Sequence, residues 1–224
     1  MNLEGRRIRM VMGLRRAGVT DARALGAMER VERELFVPEA WRAQAYDDRP
    51  LPIGHGQTIS QPAIVGLMLQ ALELNAKHRV LEIGVGSGYQ TALLARMTRN
   101  VYGVERIRAL LDEAKARLKA IGVENAFLRW GDGGRGWPEA APYDRIVAAA
   151  AAEDMPAALA DQLKVGGVMV LPIGVANGRQ TLWRIRRVED GFKTEELCGV
   201  AFVPFLPGAV ASQAEGVTAA GGRA

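Results

Sequence analysis

The sequence has little cysteine and histidine, the residue types that most often hold zinc in proteins. Cys198, His55 and His78 are the only examples among 224 residues. A single cysteine forms no intramolecular disulfide, and these three residues cannot complete the four-ligand Cys/His set of a structural zinc site. We therefore predict a protein without a bound metal.

Long apolar runs and clustered positive charge are also missing. No run approaches the roughly 18 residues that span a bilayer, so we expect a soluble, cytoplasmic protein without a membrane partner. Arginine supplies 24 of the 29 basic residues, but the 25 acidic residues interleaved with them leave a formal net charge of only +4. Because nucleic-acid-binding proteins usually cluster basic residues on one face, we expect no nucleic-acid partner. We also expect a monomer.

The first 75 residues predict a helical N-terminal segment that carries a loop. Apolar residues recur at helical spacing over residues 1–45. Residues 47–62 are rich in proline and glycine and lack any periodicity, which predicts an ordered loop. A further helix is predicted over residues 63–72, and Ser60 stands where a helix cap belongs.

From residue 79 onward, predicted strands alternate with predicted helices, a pattern typical of a parallel sheet covered on both faces. An Asp190-Gly191 turn joins two later extended segments and predicts an antiparallel hairpin. The fold class is thus α/β, a Rossmann-like doubly wound, mostly parallel sheet with antiparallel C-terminal strands and a helical N-terminal extension. The predicted strands are 79–83, 100–105, 126–130, 144–149, 167–173, 180–188 and 195–203, and the predicted helices are 89–97, 107–121 and 155–163.

The length suits one large domain with extensions, since domains average about 150 residues. We assign residues 76–206 to this domain. Residues 207–224 are rich in alanine and glycine and lack a hydrophobic face, which predicts a disordered tail.

A glycine-rich turn follows the first predicted strand of the sheet and opens a helix, as in nucleotide-binding folds. Gly84, Gly86 and Gly88 allow a tight reversal and close approach by a ligand. Tyr89 stands where a dinucleotide fingerprint has its third glycine, which disfavours NAD. Glu105 ends the second strand, 21 residues after Gly84, where a carboxylate can accept both ribose hydroxyls. The pattern predicts an adenosyl ligand, and its alternative is a turn needed only for packing.

A second glycine-rich turn, Gly131-Asp132-Gly133-Gly134, follows the third predicted strand. Since the carboxyl ends of parallel strands share one sheet edge, Asp132 could accept a hydrogen bond from an adenine amino group there. The alternative is that Asp132 only stabilises the turn.

Residues 50–62, Pro-Leu-Pro-Ile-Gly-His-Gly-Gln-Thr-Ile-Ser-Gln-Pro, resemble the signature loop of the protein-L-isoaspartate O-methyltransferases. The Gly-Gln-Thr-Ile-Ser element is specific to that family, and the glycine turn follows it in the family's order. The resemblance covers roughly residues 3–206. It continues through Gly131-Asp132-Gly133, Gly136-Trp137-Pro138, Ala141-Pro142-Tyr143-Asp144, Asp161-Gln162-Leu163, Gly166-Gly167, Leu171-Pro172-Ile173-Gly174 and Phe202-Val203-Pro204.

The resemblance implies an S-adenosylmethionine-dependent enzyme that methylates L-isoaspartyl residues in damaged proteins and peptides. It implies a substrate loop over residues 50–62, of which residues 54–61 fold over the cofactor, with Ser60 as the catalytic residue. Residues 76–206 would be the cofactor-binding domain. By the same resemblance, Gly84, Gly86, Gly88, Glu105, Asp132 and Gly133 bind the cofactor, and Gln57, Thr58, Ile59 and Ser60 bind the substrate.

Methyl transfer to a carboxylate suits a chain with two histidines, because a carboxyl group with a reference pKa of about 4 is already ionised and needs no general base. The barrier would be lowered mainly by alignment and water exclusion. Several alternatives stay open. The acceptor could be another carboxylate or a small molecule, or the chain could bind the cofactor without turnover. Ser60 could be only a helix cap. His55 could pack in the loop or face solvent and not act as a base.

Overall fold

The computed structural model describes residues 3–175 and 178–211, and the N-terminal part is helical as predicted. Helices α1 (Leu3–Arg16) and α2 (Ala22–Arg30) come first, and α3 (Pro62–Ala71) follows two short 3-10 turns. Within these residues, no helix is long and apolar enough to cross a membrane.

The stretch predicted as an ordered loop contains a small antiparallel hairpin. Its strands are β1 (Leu51–Gly54) and β2 (Gln57–Ile59), joined by a turn in which His55 adopts a left-handed φ of 53°. Leu51 and Ile53 are buried and alternate with exposed neighbours. The alternation spans only four residues, which is too short for sequence periodicity to reveal, so the sequence predicted an ordered loop without revealing its two strands.

Helix α3 begins without help from the Ser60 hydroxyl, contrary to the capping alternative. Gln61 is the N-cap residue and makes no capping hydrogen bond with its side chain. The first free amide, Ala63 N, instead donates to Asp48 Oδ1 at 2.8 Å, and Gln61 Nε2 donates to Asp48 Oδ2 at 3.0 Å. A carboxylate from the preceding segment thus does what a cap would do, which leaves Ser60 available to the site.

A seven-stranded sheet forms the centre of the protein, in the order β5-β4-β3-β6-β7-β8-β9. In this sheet the strands β3 to β7 are parallel to one another, and β8 and β9 pair antiparallel. The predicted fold class is confirmed. The strands are β3 (Arg79–Ile83), β4 (Asn100–Glu105), β5 (Ala126–Trp130), β6 (Tyr143–Ala148), β7 (Leu163–Gly174), β8 (Gln180–Val188) and β9 (Gly191–Val200).

Strands β3, β4 and β5 have the predicted bounds, whereas elements near the end of the sheet differ. Strand β7 starts four residues early, and the predicted helix 155–163 shortens to α6 (Ala157–Asp161). Strand β9 begins directly after Asp190, because the tight turn allows pairing from Val188 opposite Gly191.

Helices cover both faces of the sheet, and neighbouring strand residues point into different hydrophobic clusters. Val80 packs with α3, α4 (Tyr89–Met97) and α5 (Arg108–Ala120), while the next residue, Leu81, packs with α6 on the other face. The chain leaves the central strands in opposite directions, so a crevice opens at the carboxyl ends of β3 and β6. Ligands of open α/β sheets bind at such a reversal of strand order.

The predicted disordered tail is ordered over its first five residues. In residues 207–211, Val210 N donates to Arg106 O at 2.7 Å, and Arg108 N donates to Val210 O at 3.2 Å. These hydrogen bonds extend the edge beyond β4, which an alanine- and glycine-rich composition does not reveal. Residues 212–224 lie outside the described residues.

A buried carboxyl group, Glu82, links β3 to α4. Thr91 Oγ1 donates to Glu82 Oε2 at 2.5 Å, and the residue is 0% exposed. Burial disfavours the ionised form and raises the pKa of Glu82 to about 8, although the hydrogen bond from Thr91 acts in the opposite direction.

We predict that Glu82→Gln removes a pH dependence of folding stability. The folded-state pKa lies above the unfolded value of 4.5, so the wild-type protein loses stability as pH rises from about 4.5 to about 8. The loss approaches about 1.4 kcal/mol per pH unit. Denaturant unfolding of both proteins between pH 5 and about pH 9 measures it.

Glu73→Gln is the control of opposite sign. Partial burial raises the pKa of Glu73, but the guanidinium groups of Arg186 and Arg184 lower it by more than burial raises it. The net effect is a decrease in the pKa. Removing this charge should therefore cost stability at neutral pH that is recovered on acidification. Parallel pH profiles for wild type and Glu82→Gln would contradict the first prediction.

Candidate active site

The turn between β3 and α4 is held by the carboxylate at the end of β4. Gly86 N donates to Glu105 Oε2 and Ile107 N donates to Glu105 Oε1, both at 2.9 Å. Gly84 and Gly86 have φ values of 82° and 53°, which L side chains rarely adopt. Because β3 and β4 are parallel neighbours, their carboxyl ends bring Glu105, only 4% exposed, directly beside the glycine turn.

A cavity of about 240 Å³ opens at this turn. Four of the six residues predicted to bind the cofactor line it, namely Gly84, Gly86, Glu105 and Gly133. Its other walls come from the hairpin, the carboxyl ends of β3, β4 and β6, and the chain after β9. They are Gly56, Gln57, Thr58, Ile83, Val104, Arg106, Ala149, Ala150, Val203, Pro204, Phe205 and Leu206.

Gly88 and Asp132 have other surroundings. A Cβ on Gly88 would lie 3.3 Å from Ala114 Cβ, so this glycine allows α4 and α5 to pack closely. The Asp132 carboxylate accepts from Gly134 N at 2.8 Å and Gly208 N at 2.9 Å. The turn-stabilising alternative accounts for the bond from Gly134, the bond from Gly208 joins the turn to the C-terminal segment, and a contact between Asp132 and adenine stays a prediction.

A second, larger cleft of about 510 Å³ lies on the other side of the hairpin. The hairpin side contributes Thr58 and Ser60, and the facing wall is the chain at the end of β9, residues 199–203. Both cavities are lined by Thr58, Ala149 and Val203. The two cavities therefore meet at these three residues.

The four predicted substrate residues lie at this junction, although they face different spaces. Gln57 lines the smaller cavity, Thr58 lines both, and Ile59 is buried. Ser60 lines the larger cleft, and within the described part of the chain its hydroxyl has no hydrogen-bond partner. His55 lies exposed at the hairpin tip, outside both sets of walls.

Sequence reasoning missed the wall residues Ala149 and Val203–Leu206, which become part of the site only through the return of the chain after β9. Ala151 N donates to Val203 O and Phe205 N donates to Ala151 O, both at 2.8 Å. It also missed Arg33, a wholly buried arginine that contacts Ser60. An arginine between the apolar residues Val31 and Phe36 was the one available signal.

The donors present suit an adenosyl ligand and not a metal. Among residues 3–175 and 178–211, no group of three or more His, Cys, Asp or Glu side chains is placed to hold a metal ion. Glu105 offers two carboxylate oxygens, each with one backbone amide already bound, at the wall of a cavity that glycines keep open. A carboxylate has about four acceptor positions, so two stay free for a pair of ribose hydroxyls.

Comparison with known proteins agrees with this geometry. The family model described as protein-L-isoaspartate(D-aspartate) O-methyltransferase matches residues 6–209. The protein-L-isoaspartate O-methyltransferase of Rhodospirillum rubrum is 55% identical over 210 residues, covering 93% of this chain and 96% of that protein. The enzyme of the same name from Paracoccus denitrificans is 53% identical over 203 residues, covering 91% and 94%.

Solved structures give the same result. A Plasmodium falciparum protein-L-isoaspartate O-methyltransferase, crystallised with S-adenosyl-L-homocysteine, superposes with a TM-score of 0.79 at 26% identity, covering 92% of this chain and 99% of that one. A further protein-L-isoaspartate O-methyltransferase structure gives a TM-score of 0.81 at 29% identity, covering 88% and 65%. The chain belongs to the protein-L-isoaspartate (D-aspartate) O-methyltransferase family.

Proposed function

We propose that the protein transfers a methyl group from S-adenosylmethionine to the side-chain carboxylate of L-isoaspartyl residues in damaged proteins and peptides. The observation that carries the proposal is the meeting of two cavities at Thr58, Ala149 and Val203. One cavity has the Glu105 carboxylate in its wall and the other has the Ser60 hydroxyl. A donor in the first space and an acceptor in the second would face each other across this junction.

The protein's own residues would hold the cofactor at the glycine turn. Glu105 would accept the ribose hydroxyls through its two free acceptor positions, while Gly84 and Gly86 leave room for close approach. When bound, S-adenosylmethionine supplies a methyl group on a positively charged sulfur, and its transfer to a carboxylate oxygen leaves a neutral thioether.

The acceptor side needs orientation more than acid-base chemistry. A carboxylate is ionised at neutral pH and attacks without losing a proton, so no group needs to act as a base. The unpartnered Ser60 hydroxyl can donate a hydrogen bond to one carboxylate oxygen and direct the other towards the junction. Holding the reacting atoms in line contributes up to about 7–11 kcal/mol to such reactions.

A matched pair of peptides tests the proposal directly. The protein is incubated with labelled S-adenosylmethionine and two peptides that differ only in carrying isoaspartate or aspartate at one position. We expect label on the isoaspartyl peptide alone, released by mild base as methanol because the product is an ester. Equal labelling would favour the alternative of a methyltransferase with another carboxylate or small-molecule acceptor, and cofactor binding without any labelling would favour a binding module.

We predict that Glu105→Gln weakens the affinity for S-adenosylhomocysteine about 10- to 100-fold, because hydrogen bonds to a charged group contribute about 1.5–3 kcal/mol. Isothermal titration calorimetry measures the affinity. Asp112→Asn is the control, since Asp112 pairs with Arg108 on the exposed surface of α5. An unchanged affinity in Glu105→Gln would show that the ligand does not contact this carboxylate.

We predict that Ser60→Ala lowers kcat/KM for the isoaspartyl peptide by about tenfold or more, as expected for loss of a positioning hydrogen bond to a charged group. Thermal stability should hardly change, because the hydroxyl caps no helix. Asp48→Asn, which weakens the acceptor for Ala63 N, is the comparison expected to lower Tm. A Ser60→Ala protein with reduced Tm and full activity would restore the capping interpretation.

A further inference from the structure

Arg33 is a wholly buried cation that contacts the substrate hairpin from within the protein. It is 0% exposed, and no carboxylate within the described residues forms an ion pair with it. Its Nε donates to Ala45 O at 2.8 Å, and its Nη2 donates to Ser60 O at 2.7 Å. One planar guanidinium thus joins the segment before the hairpin to the residue that ends it.

The same guanidinium lies against Tyr89, the first residue of α4, the helix that follows the glycine turn. Its central carbon is 4.8 Å from the centroid of the Tyr89 ring, and Tyr89 follows Gly88 directly. The Phe36 ring packs edge-on against the same tyrosine, with centroids 5.5 Å apart. Tyr89 is 1% exposed, so this contact joins the glycine turn to Ser60 through the protein interior.

Packing alone does not account for an arginine here. Burial of a charge carries a large desolvation penalty, and an apolar side chain of similar volume is often equally or more stabilising. Burial lowers the pKa of Arg33, and the neighbouring Tyr89 acts against that shift. Two buried atoms of the pair, Arg33 Nη1 and the Tyr89 hydroxyl, have no hydrogen-bond partner besides each other in the part of the chain that the structure describes. Such a costly arrangement needs a reason beyond stability.

We propose that Arg33 is a positioning residue for the methyl acceptor. It fixes the backbone of Ser60, and through it the Ser60 hydroxyl, relative to the glycine turn between β3 and α4. Asp48 holds the next three residues by accepting from Gln61 Nε2 and Ala63 N. The segment 60–63 is therefore fixed at one end by a cation and at the other by an anion. The inference rests on the proposed function, because its readout is turnover of an isoaspartyl peptide.

Arg33→Lys and Arg33→Met test this proposal. Lysine keeps the charge but cannot donate to both carbonyls while lying flat on Tyr89. Methionine keeps the volume of the stem and removes the buried charge. For both variants we expect kcat/KM for the isoaspartyl peptide to fall by about tenfold or more, since small misplacements at a reacting centre have effects of up to about 100-fold. Affinity for S-adenosylhomocysteine should stay within about twofold, because Arg33 lines neither cavity.

Arg145→Lys is the matched control. Arg145 is also buried, at 8% exposure, and donates to the carbonyl oxygens of Leu72 and Glu73 away from the two cavities. A merely structural role predicts that both lysine variants lower Tm and leave kcat/KM within about twofold. Our proposal predicts that kcat/KM falls only at Arg33.

Any folded Arg33 variant with wild-type kcat/KM overturns the proposal, and so does an equal loss of kcat/KM in Arg145→Lys. If the wild-type protein itself fails to methylate the isoaspartyl peptide, the proposed function is at fault, and this outcome is seen before any variant is assayed.

Discussion

The site depends on a close contact between the β1–β2 hairpin and the glycine turn. A Cβ on Gly86 would lie 3.3 Å from Ile53 Cδ1, so any larger residue there would force the Ile53 side chain to shift. Because Gly86 is also bound to Glu105 through its amide, the hairpin, the turn and the end of β4 form one connected unit. Thr58 reaches both cavities only because the hairpin packs this closely.

The contact also explains how a chain with only two histidines could catalyse methyl transfer. Transfer of a methyl group to an ionised carboxylate needs two reactants held in line and shielded from water, and these are tasks for backbone and packing. The walls of the junction are small or apolar residues, Ala149 and Val203, with Thr58 as the polar exception. The scarcity of histidine and cysteine in the sequence is consistent with this division of labour.

Sequence reasoning worked best where local pattern and tertiary structure agree. Strand β3, strand β4 and the turn between β3 and α4 follow from a buried apolar run, glycines and a terminal Glu105, and all appear as predicted. The hairpin was missed because its alternation covers four residues. A helix cap stayed open as an alternative role for Ser60 because local sequence does not show that Asp48 accepts the first amide of α3.

The parts of the site that long-range contacts form could not be predicted either, because local sequence does not show which distant residues meet. Arg33 has a sequence context like that of a solvated arginine, and its burial depends on Ala45, Ser60 and Tyr89 meeting around it. Asp132 was placed correctly at the sheet edge, but its partner Gly208 comes from a segment predicted to be disordered. Both cases concern hydrogen bonds or ring contacts between residues at least 12 positions apart, which no local pattern encodes.

The most direct test of the account is a crystal structure with S-adenosylhomocysteine and an isoaspartyl peptide bound together. We expect the ribose hydroxyls on Glu105, the isoaspartyl carboxylate within hydrogen-bond distance of the Ser60 hydroxyl, and the thioether sulfur facing that carboxylate across the junction at Thr58, Ala149 and Val203. A peptide bound away from the cleft, or a carboxylate pointing out of the junction, would contradict the account.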